Sequence, residues 1–232
     1  MKTLGLIGGM SWESTIPYYR EINQTVKQEL GGLHSAKIIV FSVDFHEIEA
    51  LQRSGDWDSA GKILANAAQA LERAGADILV LCTNTMHKVA PAIEAAVSIP
   101  LFHIADPTAE EIKAHGYQRI ALLGTRFTME QAFYKDRLQH VHGLEVITPD
   151  EADRHIVHKI IYDELCLGSI QESSRQEYQR IITSLIENGA QAIILGCTEI
   201  SLLINQSHAS VPLFDTTALH ARKAALWALS YK

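Results

Sequence analysis

The sequence predicts an α/β protein made of two similar halves, each with a parallel sheet and helices on its faces. Three observations support this fold class: strand-like runs alternate with longer amphipathic stretches, segments repeat at a nearly constant offset, and the composition provides a large core. The 232 residues are 47% hydrophobic and carry a formal net charge of −7. A chain of this size forms one large or two small domains with ample core.

Six short runs dense in Ile, Val and Leu are predicted to be buried strands. They cover residues 3–7, 37–43, 78–81, 119–123, 144–147 and 192–195. Between such runs, residues 58–74 and 173–188 have the pattern of helices. The alternation of strand and helix predicts parallel sheets.

Three pairs of similar segments recur in the same order along the chain. The pairs are GADILVL at 75–81 with GAQAIIL at 189–195, SIPLF at 98–102 with SVPLF at 210–214, and LGLIG at 4–8 with IALLG at 120–124. Their offsets are 114, 112 and 116 residues. This repeat predicts two α/β domains, residues 1–103 with a C-terminal helix at 216–232, and residues 104–214.

Composition argues against several classes of function. The acidic balance disfavours nucleic acid as a partner, and no apolar run approaches membrane-spanning length. The N-terminus, MKTLGLIGGM, does not resemble a signal peptide, and three cysteines without a close CxxC pair disfavour disulfides and a thiolate metal site. We interpret His155 and His158 as a solvated helix face, and metal ligation by this pair is the alternative. The expectation is a reduced, cytoplasmic protein without a metal.

The turns after the predicted strands are where functional groups are expected, since these gather at the carboxyl ends of parallel strands. The turns are residues 8–15, 82–87, 124–129 and 196–199. If a pseudo-twofold axis relates the two halves, these turns meet in one cleft between the domains.

The repeat also sets the register of two cysteines. An offset of 114 aligns Cys197 with Thr83, whereas Cys82 aligns with Gly196. Side chains alternate along a strand, so Cys82 is predicted to be a buried thiol that packs as a small hydrophobe. The alternative is a local bulge that turns Cys82 toward the site.

The chain resembles the aspartate/glutamate racemase family over essentially its whole length. The motifs that carry the resemblance are Gly8-Gly9-Met10-Ser11, Thr83-Asn84-Thr85-Met86-His87 and Gly196-Cys197-Thr198-Glu199-Ile200. In that family each half contributes one cysteine to the cleft. One thiolate removes the α-proton, and the opposite thiol returns a proton on the other face. The resemblance implies a racemase without pyridoxal phosphate or another cofactor, and aspartate, glutamate or a broader set of amino acids as substrates.

One position departs from the family pattern. The family motif begins Cys-Asn-Thr, and this chain has Thr83 in place of that cysteine. A threonine hydroxyl is a poor base at neutral pH. We therefore predict an asymmetric catalytic pair, with Cys197 as the strong acid and base and Thr83 as the weak partner. Thr83 could relay a proton from water, or His87 could assist; a core or capping role for His87 is the alternative.

The predicted substrate-binding residues lie mostly in the same turns. Hydroxyl and amide side chains, with backbone N–H groups at helix starts, are suited to an α-carboxylate. The set is Met10, Ser11, Gln52, Asn84, Thr85, Thr198 and Glu199. Glu199 would contact the substrate ammonium or cap a helix. Acid-specific members of the family carry a lysine in the region that corresponds to residues 161–168. This chain has no lysine there, so strict specificity for aspartate and glutamate is less expected.

Two other functions stay open. A dicarboxylate isomerase or decarboxylase of the same architecture needs only one cleft cysteine. An amino-acid-binding protein that has lost catalysis would also account for the missing cysteine. Exposed apolar helix faces could serve a homodimer.

Overall fold

A computed structural model describes residues 1–230 of the chain. These residues divide into two compact units, Met1–Ile104 with the C-terminal stretch from His220, and Ala105–Leu219. Each unit contains one four-stranded parallel sheet with helices packed against it. The predicted α/β class with two parallel sheets is therefore confirmed. The end of the predicted C-terminal helix, Tyr231 and Lys232, lies outside the described residues.

The sheet of the first unit is built from four parallel strands. They are β1 (Leu4–Gly8), β2 (Ile38–Ser42), β3 (Ile78–Leu81) and β4 (Leu101–Phe102). Their order across the sheet is β2-β1-β3-β4. Ile7 pairs with Leu81, so β1 and β3 end side by side. Every residue of these two strands is buried, as expected for apolar runs covered on both faces.

Helices cover both faces of this sheet. They are α1 (Trp12–Leu30), α2 (Phe45–Ser54), α3 (Trp57–Arg73) and α4 (Ala90–Glu94). Ile48 of α2 and Leu64 of α3 pack in a cluster with Ile7 and Leu81. Tyr18 of α1 packs in a separate cluster with alternate residues of the same strands. The two clusters follow from the alternation of side chains along each strand.

The sheet of the second unit has the same strand order as the first. Its strands are β5 (Arg119–Gly124), β6 (Glu145–Ile147), β7 (Ala192–Gly196) and β8 (Leu213–Asp215). The order is β6-β5-β7-β8, with every pairing parallel. Gly124 and Gly196 occupy paired positions, so β5 and β7 also end together.

Six α-helices lie within the second unit, and one more follows β8. The six are α5 (Ala105–Ala114), α6 (Arg126–Glu130), α7 (Ala132–Asp136), α8 (Glu151–Asp163), α9 (Glu172–Glu187) and α10 (Ile200–Leu203). Val157 of α8 and Tyr178 of α9 pack with Leu123 and Leu195 in one buried cluster. The last helix is α11 (Thr216–Ser230), whose Ala221 packs with the Tyr18 cluster of the first unit. None of the helices within residues 1–230 is long and apolar enough to cross a membrane.

All six predicted strands are present. The predicted helices at 58–74 and 173–188 correspond to α3 and α9, displaced by one residue at each end. The sequence did not identify β4 and β8 as strands, although each lies in a segment that was recognised as repeated. Both are very short, with two and three residues, so they carry almost no periodic signal.

Candidate active site

The carboxyl edge of the first sheet brings together the turns that follow β1 and β3. The Cys82 N–H donates to the Ile7 carbonyl at 2.9 Å, and the Val43 N–H donates to the Gly8 carbonyl at 3.1 Å. The polar side chains at this edge are buried: Ser11, Thr83, Asn84 and Thr85. Buried polar groups at the carboxyl edge of a parallel sheet are typical of a ligand site.

The turn after β1 is tightly constrained. Gly9 has a φ of +90°, and a Cβ at this position would lie 2.3 Å from the Val43 carbonyl oxygen. Only glycine fits there. The Thr15 hydroxyl accepts a hydrogen bond from the Gly9 N–H at 2.9 Å and donates to the Ser11 carbonyl at 3.0 Å. These contacts hold Met10 and Ser11 at the sheet edge.

Gln52 reaches the same region from α2. Its Nε2 donates to Met86 Sδ at 2.9 Å, and its side chain is almost completely buried. Met86 and Met10 belong to one buried cluster. The first unit therefore brings together the predicted residues of the first half of the chain, which are Met10, Ser11, Gln52, Thr83, Asn84 and Thr85.

Cys82 lies in the core and not at this site. Its side chain is fully buried in a cluster with Leu6, Tyr18 and Val80. Its Sγ makes one weak contact, at 3.7 Å, to the Val80 carbonyl. Burial raises the pKa of the Cys82 thiol. The prediction that Cys82 packs as a small hydrophobe is confirmed.

His87 is buried, and both of its ring nitrogens bond to the backbone. Nδ1 lies 2.7 Å from the Thr83 carbonyl oxygen, and Nε2 lies 3.2 Å from the backbone nitrogen of Ile104. Of the two predicted roles, the geometry supports the core role. A ring with both nitrogens engaged in this way is poorly placed to carry a proton to the Thr83 hydroxyl.

The carboxyl edge of the second sheet carries Cys197, directly after β7. The Cys197 Sγ donates to Glu199 Oε2 at 3.1 Å, and the Thr198 hydroxyl donates to the same oxygen at 2.6 Å. All three side chains are less than a tenth exposed, at 8%, 5% and 3% for Cys197, Thr198 and Glu199. Burial, followed by the charge of Glu199, raises the pKa of the Cys197 thiol. In the structure the thiol is the hydrogen-bond donor to Glu199.

The contacts of Glu199 bear on its predicted role as a helix cap. Glu199 immediately precedes α10, but its side chain makes no capping hydrogen bond to that helix. The capping interpretation is therefore wrong. The carboxylate instead lies against Cys197 and Thr198, where it places a negative charge beside the thiol.

Two glycines let the strand ends of the second sheet approach closely. A Cβ on Gly124 would lie 2.8 Å from the Gly196 carbonyl oxygen, and a Cβ on Gly196 would lie 2.9 Å from the Leu123 carbonyl oxygen. Thr128 is fully buried, with its methyl group 3.4 Å from the latter position. Its hydroxyl lies 3.3 Å from that of Thr125. A buried threonine pair therefore adjoins the strand end that leads into Cys197.

Several buried hydroxyl groups at this edge were not among the predicted site residues. They are Thr125, Thr128, Thr216 and Thr217. The Thr216 hydroxyl donates to the Leu195 carbonyl at 2.9 Å, whereas Thr217 Oγ1 is buried with no hydrogen-bond partner among residues 1–230. Both threonines follow β8 directly. Recognition of β8 as a strand would have marked this turn.

The residues described here contain no group of three or more His, Cys, Asp or Glu side chains arranged to hold a metal ion.

Comparison with known proteins places these observations in a family. The model of the Asp/Glu/Hydantoin racemase family matches residues 7–224. A presumed Asp/Glu racemase from Yersinia pestis is 65% identical, with a TM-score of 0.92 and coverage of 99% of this chain and 100% of that chain. An aspartate racemase homologue from Pyrococcus horikoshii is 36% identical, with a TM-score of 0.84 and the same coverage. The broad specificity amino-acid racemase RacX of Bacillus subtilis (strain 168) is 26% identical over 237 residues, which cover 99% of each chain. The chain belongs to the Asp/Glu/Hydantoin racemase family.

Proposed function

We propose that this chain is a cofactor-independent amino-acid racemase in which Cys197 and Thr83 transfer protons on opposite faces of the substrate Cα. The observation that carries the proposal is the buried Cys197 thiol, hydrogen-bonded to the Glu199 carboxylate at 3.1 Å. Membership of the racemase family supports it, as do relatives described as an aspartate racemase homologue and a broad specificity amino-acid racemase.

Glu199 provides a path for the thiol proton. When the proton moves from Sγ to Oε2, the sulfur becomes a thiolate and the carboxylate becomes a neutral acid. The thiolate then takes the α-proton and returns to the thiol form, leaving a carbanion at Cα. A substrate ammonium favours the first step, because a nearby positive charge stabilises the thiolate. The Thr198 hydroxyl, which donates to the same Oε2 at 2.6 Å, keeps the carboxylate in place.

Thr83 is the weaker partner in this proposal. Its hydroxyl must donate a proton to the carbanion on one face and recover one from solvent, while the protonated Glu199 releases its proton to solvent to complete the cycle. The donation is slow for an alcohol near neutral pH. The two enantiomers of an amino acid have equal free energy in water, so kcat/KM must be equal in both directions. The asymmetry therefore appears as α-proton exchange without inversion, and as different saturation by L and D substrates, with Cys197 proposed to face the L enantiomer.

The substrate is proposed to be held by the turns at the two sheet edges. Hydroxyl and amide groups of Ser11, Asn84, Thr85 and Thr198 would bind the α-carboxylate, and Glu199 would attract the ammonium. Met10 and Gln52 would line the pocket. The region from Ile161 to Gly168 contains no lysine, and its Ile161 and Leu165 are core residues. This supports a substrate range that includes aspartate and glutamate and extends to other amino acids.

Deuterium exchange tests the proposal directly. The protein is incubated in D₂O with each enantiomer of glutamate, aspartate and several neutral amino acids. Loss of the α-proton is followed by NMR, and inversion by chiral chromatography. Cys197→Ala is the catalytic control, and Cys82→Ala is the matched cysteine control.

Exchange that requires Cys197, and that is faster than inversion from one enantiomer, is the expected result. Saturable binding without exchange would replace the racemase by an amino-acid-binding protein. Absence of both exchange and binding would favour the alternative function, a dicarboxylate isomerase or decarboxylase.

A further inference from the structure

The backbone of Thr83 is held at both of its polar groups. Its N–H donates to the Leu81 carbonyl at 2.9 Å, and its carbonyl oxygen lies 2.7 Å from His87 Nδ1. The first contact is local to the end of β3. The second comes from a buried side chain four residues further along. One backbone bond and one histidine therefore hold the main chain of Thr83.

The contacts of His87 define its tautomer. A carbonyl oxygen can only accept a hydrogen bond, so Nδ1 must carry a proton that it donates to Thr83. A backbone N–H can only donate, so Nε2, which faces the Ile104 nitrogen at 3.2 Å, must be unprotonated. These two contacts correspond to a neutral ring with its proton on Nδ1.

His87 also connects two neighbouring strand ends. Thr83 follows β3, and Ile104 follows β4, which pairs with β3. The connection continues through His220, whose Nε2 donates to the Phe102 carbonyl at 2.7 Å and whose Nδ1 accepts from the Tyr18 hydroxyl at 2.8 Å. The turn that carries Thr83 is thereby anchored to β4, α11 and α1.

We propose that His87 is the positioning residue for Thr83: its Nδ1–H fixes the Thr83 carbonyl, and so orients the Thr83 hydroxyl for proton transfer. This inference rests on the proposed role of Thr83 in racemisation. Positioning matters because displacement of a reacting group by about 1 Å can reduce the rate about 100-fold. Proton transfer from a threonine hydroxyl is already slow, so poor alignment with Cα would lower the inversion rate further. His87 acts through Thr83 and exchanges no proton with the substrate.

The test compares four substitutions that separate hydrogen bonding from packing. His87→Asn places an amide N–H near Nδ1 and keeps the donor to Thr83. His87→Gln keeps an acceptor for the Ile104 N–H but loses that donor. His87→Phe fills the space without either bond, and His87→Ala removes both. For each variant, Cys197-dependent α-proton exchange and inversion are measured separately in D₂O, and folding is followed by circular dichroism and thermal unfolding.

Inversion should fall about 10–100-fold in His87→Phe and His87→Ala, while exchange driven by Cys197 changes by less than about 3-fold. His87→Asn should keep inversion near the wild-type rate, whereas His87→Gln should lose inversion as His87→Phe does. In a Thr83→Ala background, His87→Phe should cause no further loss of the residual inversion, because the two residues act as one unit.

Equal losses of exchange and inversion in folded variants would overturn the positioning role, as would unchanged inversion in His87→Phe. If His87→Phe and His87→Ala do not fold, the order of His87→Asn and His87→Gln decides. A wild-type protein without Cys197-dependent exchange would instead reject the proposed function, and the role of His87 with it.

Discussion

The Cys197 thiol and the Glu199 carboxylate form a hydrogen-bonded pair, with 3.1 Å between Sγ and Oε2. The same carboxylate oxygen accepts a second hydrogen bond, from the Thr198 hydroxyl at 2.6 Å. Among residues 1–230 Cys82 has no comparable partner, since its Sγ makes only a weak contact, at 3.7 Å, to the Val80 carbonyl oxygen. The difference separates a thiol that can release a proton to a neighbouring base from one that only fills space.

Replacement of Glu199 tests the role of the carboxylate. Glu199→Gln keeps an oxygen that can accept the thiol hydrogen bond, but an amide cannot take the proton. We expect kcat/KM for racemisation to fall about 100-fold, at the lower end of the range for a general base. Steady-state kinetics with both enantiomers measure the effect. Thr198→Val removes the second hydrogen bond to the carboxylate and the proposed contact of this hydroxyl with the substrate, but it keeps the Glu199 base, so it should cause a smaller loss. A fully active Glu199→Gln protein would contradict the mechanism.

The two buried cysteines provide a matched pair. Cys197→Ala should lower kcat/KM about 10²–10⁴-fold, because it removes the acid–base group. Cys82→Ala should leave kcat/KM within a few-fold and lower the free energy of unfolding by about 1 kcal/mol, since it removes one well-packed sulfur atom. Kinetics and urea denaturation of both variants check this contrast. A collapse of activity in a folded Cys82→Ala protein would show that the predicted register is wrong.

Thr83→Cys tests the weak side of the proposed pair. A thiol at this position is a better acid and base near neutral pH than a hydroxyl. We expect the inversion rate to rise toward the rate of α-proton exchange, so that the ratio of exchange to inversion approaches one. Parallel NMR and chiral measurements in D₂O give this ratio. Thr83→Ser, which keeps a hydroxyl, is the control and should leave the ratio near the wild-type value.

The parts of the site that sequence could predict are those that depend on chain position. The repeat aligned Thr83 with Cys197, and both lie just after buried strands, β3 and β7. The two-residue β4 and three-residue β8 escaped prediction, because such short strands have no measurable period. The turn with Thr216 and Thr217 was missed for the same reason.

The partners of each side chain were less predictable. The sequence predicts two alternative roles for Glu199 and two for His87. The choice between the alternatives depends on side-chain rotamers and on contacts with residues distant along the chain. Ile104, which donates to His87, is 17 residues away. His158 is a further case: it was predicted to lie on a solvated helix face, but it is only partly exposed and its ring lies 4.7 Å from that of Tyr162.

His158 should make the stability of the protein depend on pH. Burial, with a further contribution from the positive charge of Arg126, lowers the pKa of His158 to about 4. Its Nδ1 lies 3.4 Å from the Arg126 backbone nitrogen, a donor that requires the neutral ring. An unfolded chain has a histidine pKa of about 6.5, so between the two values the unfolded state binds a proton that the folded state does not. The contribution of neutral His158 is therefore complete above about pH 6.5 and is lost as the pH falls toward 4.

Substitution of this histidine should reduce that pH dependence. His158→Gln retains a polar side chain but does not titrate, so its free energy of unfolding should decline less than that of the wild type between about pH 6.5 and about pH 4.5. Urea denaturation at several pH values in this window measures both curves. His155 lies on the same helix and is exposed, which makes His155→Gln the matched control with a wild-type slope. Parallel curves for His158→Gln and the wild type would show that His158 titrates alike in the folded and unfolded chains, and would place the acid sensitivity at other groups.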